Sequence, residues 1–134
     1  MAKIGHLIVC ENIGRDEEKN RFIINPKATF LINETKTNLE FVVSMGIYDL
    51  PDSDISVTIE VYDPNENLIS KREGASEPPK PKSGDQKRRP FSVIVNIGFK
   101  DVLIQKEGEY TIKAIIDGDE KTLIIPIRLR KEVD

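Results

Sequence analysis

The amino-acid sequence predicts an all-β protein, an antiparallel β-sandwich of about seven to nine strands. Apolar and polar residues alternate in several segments, which is typical of strands with one buried face. Turn-forming residues separate these segments at short intervals, as they do in sandwiches and barrels. The sequence shows no helical stripe long enough to cover a parallel sheet, so an α/β class is not expected.

The strongest of these patterns lies near the end of the chain. In EGEYTIKAIIDGDEKTLIIPIRL, two alternating segments flank Asp117-Gly118. Because Asp-Gly tolerates the positive φ that a tight turn needs, this stretch predicts a β-hairpin. The apolar residues expected on its buried face are Tyr110, Ile112, Ala114, Ile116, Leu123, Ile125, Ile127 and Leu129.

The other strands are expected upstream of this hairpin, between polar turns. The clearest lies at 55–62, where Ile55, Val57, Ile59 and Val61 alternate with more polar residues. Further strands are expected at 4–13, 21–24, 39–47, 68–71 and 91–99, with 29–32 continuing the same edge as 21–24. The polar turns between them are 15–20, 49–54 and 63–67, and a weak helical spacing occurs only at 99–105.

A chain of 134 residues suits one domain, so residues 1–134 are expected to form a single sandwich. One segment, 74–90, interrupts the alternation. It reads GASEPPKPKSGDQKRRP, with four prolines and almost no apolar residue. This composition predicts a long loop rich in Pro, Lys and Arg that lies outside the core.

Composition restricts the functional class. The net charge is only −3, from 20 basic and 23 acidic residues, so the protein as a whole is not expected to attract nucleic acid or membranes. The single cysteine, Cys10, excludes an internal disulfide. The apolar run at the start is too short to span a membrane, and no small-residue cleavage site follows it. A cytoplasmic protein is therefore expected.

Part of the chain resembles immunoglobulin-like sandwich domains. Ile104, Gly108 and Tyr110 match the apolar-Gly-x-Tyr pattern at the start of the penultimate strand of such domains, and VYDPNENLIS is similar to the short hairpin after their third strand. The resemblance covers 54–72 and 91–129. It implies an immunoglobulin-like sandwich in which the Tyr110 hydroxyl bonds nearby backbone. The paired cysteines and core tryptophan of antibody domains are missing.

The start of the chain carries a second resemblance. MAKIGHLIVCENI is similar to the opening of small uncharacterised bacterial sandwich proteins. This likeness implies the same fold class and no particular activity.

The residues that could perform catalysis are few. His6 is the only histidine, and it shares a predicted strand with Cys10. Four residues of extended strand separate the two by roughly 13 Å, which is too far for a catalytic dyad. Neither a phosphate-binding glycine loop nor a set of transition-metal ligands is present in the sequence. No enzymatic activity, cofactor or metal is therefore expected.

Acidic residues offer one alternative function, a calcium- or anionic-lipid-binding sandwich. The groups 49–54 and 117–120 are expected at one end of the sandwich. Asp63 is expected roughly 25 Å away at the opposite end of its strand, so the acidic set is divided. Carboxylates in solvated turns are the simpler interpretation.

The predicted loop carries the only local cluster of positive charge. Its candidate partner-binding residues are Lys80, Lys82, Lys87, Arg88 and Arg89. They could contact an acidic protein surface or, as a further alternative, bind nucleic acid weakly through 80–89. The loop lacks the interleaved aromatics on which single-strand binders stack bases. A solvated loop that keeps the protein soluble is the plainer interpretation.

These observations favour a non-enzymatic protein-interaction or assembly module of bacterial or phage origin. The expected partner is another protein, bound by the 74–90 loop or by a sheet edge. A homodimer through sheet edges is also open, because 21–32 has the pattern of an irregular edge. Binding to nucleic acid or to a membrane is not expected.

Overall fold

The computed structural model describes residues 2–51, 53–76 and 92–130. Within these residues the chain forms β-strands joined by turns and loops. The strands are β1 Lys3–Arg15, β2 Arg21–Pro26, β3 Phe30–Ile32, β4 Thr37–Tyr48, β5 Ile55–Tyr62, β6 Leu68–Ser76, β7 Ser92–Ile104, β8 Gly108–Ile116 and β9 Asp119–Leu129. The all-β prediction is confirmed.

The strands form two sheets. Sheet A has the order β2-β1-β4-β7, and sheet B has the order β3-β9-β8-β5-β6. Neighbouring strands are antiparallel, except that β3 runs parallel to β9. Most of one layer is therefore formed by the three long strands β1, β4 and β7. Most of the other layer is formed by β5 and by the hairpin of β8 and β9.

The two sheets share one apolar core. The ring of Phe41 in sheet A stacks on Phe99 with centroids 5.1 Å apart, and it lies 5.8 Å from the ring of Phe30 in sheet B. The alternation predicted for β4 and β5 matches their buried faces. Those faces consist of Phe41, Val43, Met45, Ile47, Ile55, Val57, Ile59 and Val61.

The hairpin predicted near the end of the chain is confirmed. Ile116 pairs with Asp119 across a two-residue turn, and Gly118 has a φ of +86°. Six of the eight residues expected on its inner face are buried, and Leu123 and Leu129 are partly buried against the same core. The register places Tyr110 opposite Ile125 and Ile112 opposite Leu123. β8 is the central strand of sheet B, and β9 lies beside it.

The segment 29–32 does not continue the edge of β2 as expected. Phe30–Ile32 instead pairs in parallel with the end of β9, in the other sheet. The Arg130 N–H also donates to the Ile32 carbonyl at 2.8 Å. The reason is burial, because this position lets Phe30 and Ile32 enter the shared core while Leu31 points to solvent.

The segment predicted to be a long loop, 74–90, begins with residues of a strand. β6 continues to Ser76, and Gly74, Ala75 and Ser76 pair with β5 in the uninterrupted register that begins at Ser70. Backbone pairing needs no apolar side chain, so a polar composition does not by itself end an edge strand. Residues 77–91 lie outside the described residues.

The weak helical spacing at 99–105 proves to be an irregular strand. Phe99, Val102 and Ile104 are all buried, although strict alternation would not place Phe99 and Val102 on one face. Asp101 has a φ of +56°, and the register with β4 shifts at the same level, as in a β-bulge. The extra residue explains why the apolar spacing resembles that of a helix.

The hydroxyl of Tyr110 makes the backbone bond that the resemblance implies. It donates to the carbonyl of Lys106 at 2.8 Å, across the turn that joins β7 to β8. The side chain itself is 3% exposed. This bond therefore ties the connection between the two sheets to a residue of the core.

Removing this hydroxyl should destabilise the protein. We expect Tyr110→Phe to lower the free energy of unfolding by about 1 kcal/mol, because the bond is lost while the ring remains. Urea unfolding followed by circular dichroism measures this. Tyr48→Phe is the matched control, since Tyr48 is 41% exposed and should change stability by much less. Equal effects from the two substitutions would contradict the role assigned to the Tyr110 bond.

A candidate binding site beneath the β1–β2 hairpin

The first hairpin extends beyond the body of sheet A. β1 pairs with β4 only from Lys3 to Cys10, whereas β2 pairs with β1 as far as Arg15. The far part of β1 thus has β2 as its only neighbour among the described strands. We call residues 11–26, which comprise the far part of β1, the turn after it and β2, the hairpin arm.

The arm curls over the face of sheet A that points away from the core. One pocket is lined both by Phe22 and Ile23 of β2 and by Ile94 and Asn96 of β7. In the sheet, β1 and β4 lie between these strands. Residues so far apart in a flat sheet can line one pocket only if the arm bends across them. The pocket has a volume of about 310 Å³.

Strand register arranges the floor of this pocket in two rows. Ile8, Ser44 and Asn96 lie side by side on β1, β4 and β7. His6, Gly46 and Ile94 form the next row. The full lining is His6, Ile8, Ile13, Arg21, Phe22, Ile23, Ser44, Ile94 and Asn96. The pocket is thus mostly apolar, with a few polar groups.

Gly46 lets the imidazole of His6 lie flat on the floor. A Cβ atom at this position would overlap His6 Cε1 and Nδ1. The ring therefore occupies the space that a side chain at the centre of the sheet would normally fill. His6 is the only histidine of the chain, and its place beside the pocket could not be inferred from its sequence neighbours.

One polar side chain and one amide oxygen on the floor are shielded from water. Ser44 is 1% exposed. The Oδ1 atom of Asn96 is fully buried, and no hydrogen-bond donor in residues 2–51, 53–76 or 92–130 reaches it. A buried acceptor without a partner costs about 1–3 kcal/mol, so such an atom needs a specific explanation.

The open edge of the arm is unusually apolar. All residues of β2 are exposed, among them Phe22, Ile23 and Ile24. The Phe22 ring lies on Gly14 of β1, where a Cβ atom would overlap it. β2 ends sheet A, so half of its backbone N–H and C=O groups face away from β1. The edge strand β6 of sheet B has a different composition. Its residues Lys71, Arg72 and Glu73 are charged and exposed.

The structure places the predicted site residues in several different regions. The basic residues of the 80–89 cluster lie outside the described residues. Cys10 is completely buried, and burial raises the pKa of its thiol above the ordinary value. This environment disfavours the reactive thiolate, so Cys10 serves packing.

The acidic residues are divided as the sequence predicts. Asp54 and Asp117 line one shallow pocket, and Asp63 lines another together with Lys106 and Tyr110. Asp119 Oδ2 accepts the Ile4 N–H at 2.9 Å. Across residues 2–51, 53–76 and 92–130, no three His, Cys, Asp or Glu side chains are grouped so that they could hold a metal.

Ser44 and Asn96 were not predicted as site residues, and the arm was considered only through 21–26, as part of an edge at 21–32 that could form a homodimer. Ser44 and Asn96 stand at outward positions of alternating strands, where polar residues are ordinary. The available signal was the apolar character of several residues on the same outer face, among them Ile8, Val42 and Ile94. It indicates that something covers this face, but not what does so.

Comparison of the chain with protein-family models gives no match, and neither does comparison with curated proteins. Within the part of the chain that the structure describes, we find no helix with the length and apolar character needed to cross a membrane.

The carboxylate of Asp63 organises the β5–β6 turn instead of a metal site. Its Oδ1 accepts the N–H groups of Asn65 and Asn67, each at 2.9 Å. The bond from Asn67 contributes most to lowering the pKa of Asp63 below its ordinary value of 3.8. The same five-residue arrangement closes the arm, where Asp16 Oδ1 accepts the N–H of Asn20 at 2.9 Å.

This pKa shift makes stability depend on pH in a definite direction. Because the folded pKa of Asp63 is lowered, its contribution is complete above the unfolded pKa and is lost as the pH falls through the folded value. We expect the wild type to lose more stability between pH 7 and pH 2 than Asp63→Asn, whose side chain does not titrate. Urea unfolding at both pH values measures the difference. An equal loss in both proteins would show that the turn does not depend on the charge.

Proposed function

We propose that this protein is a non-enzymatic protein-interaction module that binds its partner along the open edge of β2. The observation that carries this proposal is the exposed apolar edge strand at Arg21–Pro26. Soluble proteins normally protect such edges with charges, prolines or very short strands. β2 has Arg21 and Pro26 at its two ends, but its three consecutive residues Phe22, Ile23 and Ile24 leave an exposed apolar edge that a partner would cover.

Strand addition is the binding mode that this edge favours. An extended segment of the partner would pair with the outward backbone groups of β2, and its side chains would contact Phe22, Ile23 and Ile24. The backbone bonds would supply affinity, while the neighbouring pocket would select side chains. The exposed Ile94 beside the pocket, which is 56% exposed, extends the apolar surface beyond the strand.

We further propose that the framework is an immunoglobulin-like sandwich. The order β9-β8-β5-β6 corresponds to strands G, F, C and C′ of such domains, and β1-β4-β7 corresponds to A, B and E. Tyr110, near the start of β8, bonds the preceding turn as the tyrosine corner does. In this correspondence β2 has no counterpart. The arm is then an addition to the framework, which supports its assignment as the functional element.

The composition of β2 favours a protein partner over the two alternatives from the sequence. Calcium or anionic lipid would need clustered carboxylates or cations, and β2 contributes Arg21 as its only charged side chain. Nucleic-acid binding would rest on 80–89 and a strong dependence on salt. The apolar composition of β2 is instead suited to the side chains of a protein.

A charge placed on this edge should weaken partner binding. We expect Ile24→Lys to reduce affinity about tenfold or more, because a lysine there must be desolvated when a partner strand pairs. The experiment compares the proteins that the wild type and the variant retain from the native host, by quantitative mass spectrometry. Each candidate is then purified and its Kd is measured for both proteins.

Ile124→Lys is the matched control. Ile124 is an exposed strand isoleucine like Ile24, but it lies on β9 in sheet B. The control should retain the same partner as the wild type with the same Kd. Sedimentation of the purified chain tests the remaining case, a second copy as partner, whose dimer Ile24→Lys should dissociate. Identical partners and oligomeric state in all three proteins would reject the β2 edge as the binding site.

A further inference from the structure

The ladder between β1 and β2 fixes which backbone groups of β2 face outward. The Asp16 N–H donates to the Asn20 carbonyl at 3.0 Å, so these residues form a hydrogen-bonded pair at the closed end of the arm. Such pairs recur at every second position of an antiparallel ladder. In the observed register, Phe22 and Ile24 therefore bond β1, whereas the N–H and C=O groups of Ile23 point to the open edge.

Pro26 does not block this edge. It lies opposite Cys10, at a position that the alternation assigns to bonding with β1, so its missing N–H is on the inner side. The outward positions are Arg21, Ile23 and Asn25, and each of these residues has an N–H group. The edge is therefore able to pair with a further strand.

We infer that the partner at this edge is a second copy of the chain, whose β2 pairs antiparallel about a two-fold axis at Ile23. The inference rests on the proposed function, because it names the occupant of the same edge. Both copies present the same strand in a two-fold dimer, so the strand must be complementary to itself. The two copies of sheet A would then form one continuous sheet.

The apolar residues of β2 satisfy this condition. An axis at Ile23 places this residue opposite its own copy, so no like charges meet at the axis. It places Phe22 opposite Ile24 of the second copy, once on each side of the axis. Aromatic and β-branched side chains directly opposite one another stabilise antiparallel pairs. Because all three residues are exposed in the single chain, the pairing also removes apolar surface from water.

The charged residues of the arm also satisfy the condition. Arg21 pairs with Arg15 of β1, and like charges directly opposite one another are destabilising. The same axis places Arg21 opposite Asn25 of the second copy, whose side-chain amide donates to Glu11 at 2.8 Å. Two strand spacings, roughly 10 Å, then separate the backbones of Arg21 and Glu11. Their side chains together span this distance, so the carboxylate of one copy offsets the like-charge pair of the other.

Sedimentation equilibrium of the purified chain gives the first test. We expect a monomer–dimer equilibrium with a Kd on the order of 10 μM, because the paired strand is short. A wild type that remains monomeric at about 1 mM overturns the inference.

Two charge-reversal variants test the pairing of Arg21 with Glu11. Arg21→Glu and Glu11→Arg should each weaken the dimer about tenfold or more, because like charges then meet at both ends of the paired strands. An equal mixture of the two variants should dimerise about as well as the wild type. In the mixed dimer the new glutamate meets the new arginine, and the native Arg21 meets the native Glu11. A mixture that is no more dimeric than the separate variants overturns the inference.

A cysteine at the axis tests the register. Residues of a hydrogen-bonded pair have Cα atoms about 5.5 Å apart, which a disulfide can bridge. Ile23→Cys should therefore oxidise to a covalent dimer, and the native Cys10 is completely buried. Ile124→Cys is the matched control, since Ile124 is an exposed strand isoleucine of sheet B and should stay monomeric under the same conditions. Equal cross-linking of the two variants overturns the two-fold register.

The outcomes separate this inference from the proposed function. A monomeric wild type whose Ile24→Lys variant loses a different protein overturns the second copy but keeps the β2 edge as the binding site. A monomeric wild type whose bound proteins are unchanged by Ile24→Lys rejects both. A wild-type dimer that Ile24→Lys dissociates, and that the mixed charge variants restore, supports both.

Discussion

The structure of the candidate site depends on the length of β1. This strand has 13 residues but pairs with β4 only as far as Cys10. Backbone N–H and C=O groups in the remainder still need partners, and β2 supplies them on one side. The arm is thus a consequence of backbone hydrogen bonding, and its curl creates both the open edge and the pocket. A β1 that ended at Cys10 would leave the outer face of sheet A uncovered.

Covering that face changes what its residues can do. Ser44 occupies the centre of a strand facing away from the core, where a serine is normally solvated, yet it is almost completely buried. Asn96 in the same row has its carbonyl oxygen buried in apolar surroundings. In such surroundings an unpaired acceptor is costly, and a hydrogen bond formed there is electrostatically stronger than one in water.

The alternation of apolar residues predicted most strands and the buried faces of β4, β5, β8 and β9, because each buried face is a local property of its strand. It could not predict which strands become neighbours. Phe30–Ile32 crosses to sheet B because its apolar side chains fit that core, and the bulge at Asp101 makes a strand resemble a helix. The pocket lay beyond sequence reasoning, because its floor combines three strands that only tertiary pairing brings together.

Two of the other edge strands are less suited than β2 to bind a protein. β3 has three residues and is too short to accept a long partner strand. β6 carries exposed charges, including an ion pair of Lys71 with Glu73 at 3.3 Å. β2 is longer than β3, and its only charged residue, Arg21, lies at its start. The pocket lies beside this edge, because Phe22 and Ile23 belong to β2 and also line the pocket. A segment paired with β2 would therefore lie next to the pocket.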